Sequence, residues 1–216
     1  SPDRIYGIAV SGVYAYLAAY SSGFRVVDIS TPSSPLEVGY CADALRAYKL
    51  AISGNYAYVA GLGFGLRIID ISTPLNPSLV GTLDTPGSAY DVAVSGGYAY
   101  VADGGGGLRI VNISVPSSPV EVGFYEFQGF ASAVAVSGSY AFVVDEQSWC
   151  LRIINVSNPE SPSEVTSFKT QSTPRDVAIS GNYAILCLNI LGIIAVDITN
   201  PLSPIEVGGY PLMNPY

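Results

Sequence analysis

Short apolar runs broken by Gly, Pro, Asn and Ser recur along the whole chain, and no stretch keeps a helical stripe. Between residues 91 and 125 the order is DVAVS, a turn SGGY, YAYVAD, a glycine loop, LRIVNIS, a turn VPSSP and VEVGFY. β-Branched and aromatic runs of this length separated by turn residues predict four short strands. Proline is confined to the turns, where its missing N–H costs nothing. Runs such as LRIVNI and AVAV are apolar at successive positions, so both faces of these strands are expected to be covered. The longest apolar stretch, YAILCLNILGIIAV (183–196), is interrupted by Asn189 and Gly192 and falls short of the ~20 residues of a membrane-spanning helix. It reads as two buried strands.

The pattern repeats. S-G-x-Y-A occurs at 11–15, 53–57, 95–99, 137–141 and 180–184, at spacings of 42, 42, 42 and 43 residues. A P-x-x-P marker keeps step with it, from Pro32 and Pro35 to Pro201 and Pro204. Five copies of a four-stranded unit, each about 40–50 residues, predict an all-β fold: a five-bladed β-propeller with four antiparallel strands per blade. The blades are expected at about 3–42, 45–84, 87–126, 129–169 and 172–211, contiguous in sequence and without an exchanged closing strand. Closure is expected from packing of the fifth blade on the first. A parallel β-helix is the structural alternative; its coils are shorter and do not need two reversals marked by proline in each copy.

FRVVDIS, LRIIDIS, LRIVNIS and LRIINVS resemble the LVIVD repeat, a propeller family of bacterial and archaeal secreted or surface proteins. The resemblance spans all five copies and departs most in the last, IIAVDIT, where Ile194 stands in the column of Arg25, Arg67, Arg109 and Arg152. It implies architecture and a cell-surface or extracellular setting, and it implies no catalytic residues.

Composition narrows the partners. With 49% hydrophobic and 12% charged residues the chain can bury a large core. A net charge of −8 and a pI near 4.3 disfavour nucleic acid and anionic membrane surfaces. Ser1 stands where a methionine would start a complete chain, so a processed mature protein or an excised domain is expected. The absence of His excludes a Ser-His-Asp triad and the usual zinc sites, no P-loop or dinucleotide fingerprint follows a strand, and no metal or cofactor is expected.

Comparing the copies separates two rims. The turns after the first and third strands barely vary, whereas the connections after the second and fourth do, and these emerge together at the opposite rim. At its channel mouth one column holds Tyr6, Tyr48, Tyr90, Ser132 and Arg175, and the next holds Gly7, Lys49, Asp91, Ala133 and Asp176. Asp103 and Asp145 end second strands, with Phe64, Phe130 and Trp149 in nearby loops. The ligand-binding candidates are therefore Tyr6, Tyr48, Tyr90, Asp91, Asp103, Asp145, Trp149, Arg175 and Asp176, since aromatics beside carboxylates can stack on and hydrogen-bond a sugar. Alternatively, the tyrosines pack the funnel and the acids cap turns. A glycosidase would need two acids at a set separation, and these form no distinctive pair.

The third strands end in Asp28, Asp70, Asn112, Asn155 and Asp197. Either side chain can bond the coming turn. Both Asn copies also create glycosylation sequons, NIS at 112–114 and NVS at 155–157. Cys150 and Cys187 fall on the same rim of adjacent blades and are the expected disulfide, leaving Cys41 buried or at a contact. The expected function is a non-enzymatic extracellular interaction module that self-associates or binds other surface proteins in a layer, matrix or filament. A carbohydrate-binding propeller is the alternative and a glycoside hydrolase the second alternative.

Overall fold

A computed structural model of the protein describes residues 4–211. Residues 1–3 and 212–216, which include the expected start of the first blade and most of the PLMNPY tail, lie outside the described residues. Blade 1 is β1 (Gly7–Ser11), β2 (Tyr14–Ala18), β3 (Phe24–Asp28) and β4 (Leu36–Cys41). Blade 2 is β5 (Lys49–Ser53), β6 (Tyr56–Ala60), β7 (Leu66–Asp70) and β8 (Ser78–Leu83). Blade 3 is β9 (Asp91–Ser95), β10 (Tyr98–Ala102), β11 (Leu108–Asn112) and β12 (Val120–Tyr125). Blade 4 is β13 (Ala131–Ser137), β14 (Tyr140–Asp145), β15 (Cys150–Asn155) and β16 (Ser163–Lys169). Blade 5 is β17 (Pro174–Ser180), β18 (Tyr183–Leu188), β19 (Gly192–Asp197) and β20 (Ile205–Tyr210). Each blade is an antiparallel meander in chain order, and among the described residues none borrows a strand.

The repeated turns explain the repeated letters. Gly12, Gly54, Gly96, Gly138 and Gly181 all adopt φ of 57–59°, a left-handed conformation that only glycine takes without strain, at the first-to-second strand hairpin. At the end of each third strand the Oδ1 of Asp28, Asp70, Asn112, Asn155 and Asp197 accepts the N–H two residues on, at 2.8–2.9 Å. Asp and Asn do the same work there, because the bond needs only an acceptor oxygen.

Blades pack by unlike faces. Tyr16, Ala18, Phe24 and Val26 of blade 1 meet Ala57, Val59, Ile69 and Ile71 of blade 2 in one buried cluster, and the equivalent residues form the blade 2/3, 3/4 and 4/5 clusters. First strands line the channel, each beside the next from β1 to β17. The expected closure does not occur. Among the described residues blade 5 does not pack on blade 1 as every consecutive pair packs, and no buried cluster joins them. The five blades are an arc of a propeller, with the trailing face of blade 5 and the leading face of blade 1 uncovered.

Candidate functional site

Tyr6, Tyr48 and Tyr90 immediately precede β1, β5 and β9, so the ordinary strand geometry delivers their rings to the variable rim in a row. Tyr6 stacks on Tyr48 at 4.7 Å between centroids, Tyr48 meets Tyr90 edge-on at 5.5 Å, and Tyr90 meets Phe130 at 4.9 Å. In blades 4 and 5 the column changes because the backbone does. The β13/β14 pairing shifts between Ala131 and Ala133, and the β17/β18 pairing between Pro174 and Asp176. Ser132 and Arg175 are thus the extra residues of β-bulges, devices that re-aim side chains at rims. Arg175 Nη1 pairs with Glu146 Oε2 at 2.5 Å. Ser132 is 6% exposed, and its Oγ has no hydrogen-bond partner among the described residues.

These residues bound a hollow of ≈ 370 Å³, walled by Tyr48, Tyr90 and Phe130 and edged by Lys49, Ser132, Glu146 and Arg175. That volume lies in the range of small-ligand sites. A second hollow of ≈ 330 Å³ adjoins it through Lys49 and is lined by Tyr6, Gly7, Ile8, Leu50, Asp91 and Asp176. Lys49 reaches across the channel. Its Nζ donates to Asp176 Oδ1 at 2.8 Å and lies 3.4 Å from Asp91 Oδ2. Burial alone would lower the Lys49 pKa, but the two carboxylates outweigh it and raise the value. Asp91 is buried, and that burial pushes its pKa up to about 6 against the opposing pull of Lys49 and of the Val134 and Val92 N–H groups. Burial also raises the Tyr48 hydroxyl pKa.

The structure corrects two of the candidate acids. Asp103 is fully buried in its loop, where Oδ1 accepts from Thr85 Oγ1 and Oδ2 from the Gly87 N–H. Asp145 is equally buried; its Oδ1 accepts the Phe130, Gln147 and Ser148 N–H groups and its Oδ2 accepts Nε and Nη2 of Arg152. For Asp145, those backbone groups and Arg152 outweigh burial and lower the pKa. Both acids order rim loops, and their oxygens are taken up by the groups of those loops and by Arg152. Trp149 is exposed in a left-handed turn (φ 51°) and lines neither hollow.

The Cys150–Cys187 bridge is likewise corrected: all three cysteines are free. Cys150 alternates with Leu151, which packs toward blade 5, whereas Cys187 is exposed on the side of blade 5 turned away from blade 4. The blade 5 sheet stands between the two thiols. Cys41 is buried in the blade 1/2 core.

Among the described residues no group of three or more His, Cys, Asp or Glu is placed to hold a metal, and no helix is long and apolar enough to cross a membrane. The groove of ≈ 600 Å³ between β4 and β8 recurs in smaller form between β12 and β16, so it follows from blade packing.

Ser132, Lys49 and Glu146 were not singled out from sequence as ligand candidates. Ser132 and Lys49 each broke a column, Ser132 that of the tyrosines and Lys49, as its one cation, that of the acids; Glu146 carried no signal.

The LVIVD repeat matches residues 6–43, 46–85, 86–126, 128–170 and 173–211, and the chain belongs to that family. Among curated proteins none matches it. It is similar in structure to a computationally designed protein, Ika8 (14% identity, TM-score 0.75, 96% of this chain and 62% of that one). It also resembles a putative 6-phosphogluconolactonase from Bacteroides fragilis (17%, 0.76, 96% and 66%) and the Cps50 (Swd1) β-propeller domain from Myceliophteria thermophila (13%, 0.74, 97% and 73%). The chain spans less than two thirds of the designed protein. Likeness at these identities concerns the fold.

Proposed function

We propose that the chain is a non-enzymatic interaction module that works outside the cell and takes a hydroxyl-bearing unit, a sugar of a glycan, at the channel mouth. The observation that supports this most is the hollow walled by Tyr48, Tyr90 and Phe130, with Ser132, whose buried Oγ has no partner among the described residues, at its edge. A buried hydroxyl without a partner costs roughly 1–3 kcal/mol, which a ligand hydroxyl would recover if binding turns the Ser132 Oγ toward the hollow. The aromatic walls supply apolar faces for a sugar ring, and the Arg175–Glu146 pair supplies a donor and an acceptor at its edge. Held in a surface layer or matrix, such a module would join glycans to neighbouring proteins or to further copies of itself, with glycans of its own on Asn112 and Asn155.

A glycan array followed by titration tests the reading. A hit is expected whose affinity falls roughly tenfold or more in Ser132→Ala and in Tyr90→Ala, the loss of about one good hydrogen bond or stacking contact. An array blank for every glycan sinks it. A strictly monodisperse monomer at high concentration removes the self-association half, and an unshifted mass of protein secreted by a glycosylating host removes the glycans on Asn112 and Asn155.

A second reading rests on Asp91, whose pKa near 6 suits a general acid or base. Hydrolysis of a sugar derivative, such as a lactone, would then be lost in Asp91→Asn. Two features speak for binding instead: Lys49 ties both channel carboxylates, and backbone N–H groups already occupy Asp91.

A further inference from the structure

The two uncovered faces of the arc carry the same residues that the other blades bury. Ile193 of β19 is 41% exposed, whereas its equivalents Phe24, Leu66, Leu108 and Leu151 are each 0% exposed. Tyr183, Val207 and Tyr210 share this open face and are exposed as well. At the other end Ile8 of β1 is 64% exposed, against 4–8% for its equivalents Val92, Val134 and Val177, with Leu50 partly buried. The two faces are of opposite kind, one matching the trailing face of every covered blade and the other the leading face.

One glycine says what belongs there. Gly39, Gly81 and Gly123 sit at one position of the outer strand, and a Cβ on any of them would run into the carbonyl oxygen of a proline in the next blade: Pro74, Pro116 and Pro159 respectively. Gly208 holds the same position in blade 5, and a Cβ there would meet nothing. Blade 4, which blade 5 covers, carries Thr166 at this position, so a following blade tolerates a larger residue there; at Gly39, Gly81 and Gly123 the close neighbour is the first proline of the following P-x-x-P turn, and at Gly208 that neighbour is missing.

The width of the opening follows from the curvature. The five blades superpose almost entirely on propellers of which they fill 62–73%, which leaves room for about two more blades in most of them. We propose that a two-blade segment of this same repeat occupies the opening. Its first blade seats a proline-turn carbonyl over Gly208 and covers Tyr183 and Ile193, and its second covers Ile8 and Val10. A second copy of the five-bladed chain is too large, because its third blade would meet blade 1 of the first copy. The inference is independent of what the channel mouth binds.

Cys187, exposed on the open face of blade 5, is a built-in reporter. A copy of residues 86–170 fused behind blade 5 of the full chain is expected to slow iodoacetamide alkylation of Cys187 by about 100-fold or more, the protection of a residue moved into a packed interface. An unchanged rate in a folded fusion overturns the proposal. So does Cys187 already protected in the monomeric unfused chain, which means self-closure, or protected together with a doubling of mass, which means a second copy. The unfused chain gives a test that needs no fusion. Gly123→Ala is expected to lower Tm by several degrees through overpacking, and Gly208→Ala to leave it within about 1 °C. Equal losses show that Gly208 serves a local purpose and overturn the reading of its empty neighbour space.

Discussion

Blades 3 and 5 are built from nearly the same sentence and meet different fates. Leu108 and Ile193 are equivalent, as are Tyr100 and Ile185, and Ala102 and Cys187, yet blade 3 is covered on both faces and blade 5 on one. An LVIVD strand is thus apolar on both sides because the repeat anticipates two neighbours. Burial is then granted by the neighbour and not by the strand. Stability should consequently rise toward the middle of the arc, as in other quasi-one-dimensional arrays where each unit contributes its own term and its interfaces.

The widest gap between the two blades is expected in their cores. Leu108→Ala removes a side chain with no exposure and leaves a cavity, so a loss of about 2–5 kcal/mol is expected from denaturant melts. Ile193→Ala removes a side chain that already touches water, and a loss below about 1 kcal/mol is expected. Equal losses would mean that the opening beside blade 5 is filled in solution.

The channel acids sharpen the same contrast. Asp91 of blade 3 is buried and Asp176 of blade 5 is half-exposed, although both belong to one column and both face Lys49. Because burial raises the folded-state pKa of Asp91 to about 6, above its unfolded value, the native state binds a proton that the unfolded chain does not between roughly pH 4 and 6. Its contribution therefore favours folding at the acid end of that window and is lost as pH rises through 6. At about 1.4 kcal/mol per pKa unit the swing is at most about 3 kcal/mol. Asp91→Asn should remove that slope from the difference between variant and parent melts across pH 4–7. A slope that survives the substitution would assign it to another group.

What the sequence made legible was whatever repeats locally. The S-G hairpins, the proline turns, the four strands per copy and the Asp/Asn turn acceptor each need only neighbours within a few residues, and five copies display them together. Closure was different in kind. It depends on the angle between blades, which side chains at each interface set jointly, and neither copy number nor phase encodes it. Gly208 held a clue that only the paths of its counterparts Gly39, Gly81 and Gly123 could reveal. Asp103 and Asp145 looked like rim ligands because they end second strands, and the loops that fold over them, with the Gly87 N–H and Arg152 as partners, have no periodic pattern. The cysteines share a rim of adjacent blades but differ in parity: successive positions of a strand point to opposite sides of the sheet, and that parity turns Cys187 away from blade 4.

The smallest expected effect lies where blades 3 and 5 agree. Asn112 and Asp197 close the same turn, each accepting an N–H two residues on, in a blade with two neighbours and a blade with one. The Thr199 hydroxyl and N–H hold the Asp197 carboxyl below the ordinary carboxylate value of 3.8. A lowered pKa stabilises the fold above the unfolded value, and that stabilisation is lost as pH falls through the folded one. Asp197→Asn converts the blade 5 turn into that of blade 3. Made in a host that does not glycosylate, since the change writes a new sequon over 197–199, the variant should match the parent near pH 7 and lose less stability than the parent on acidification below 3.8. Because the turn is satisfied within three residues, the outcome should not depend on what covers blade 5. A variant already weakened at neutral pH would show that the turn requires the carboxylate charge and that the Asp and Asn copies are not equivalent.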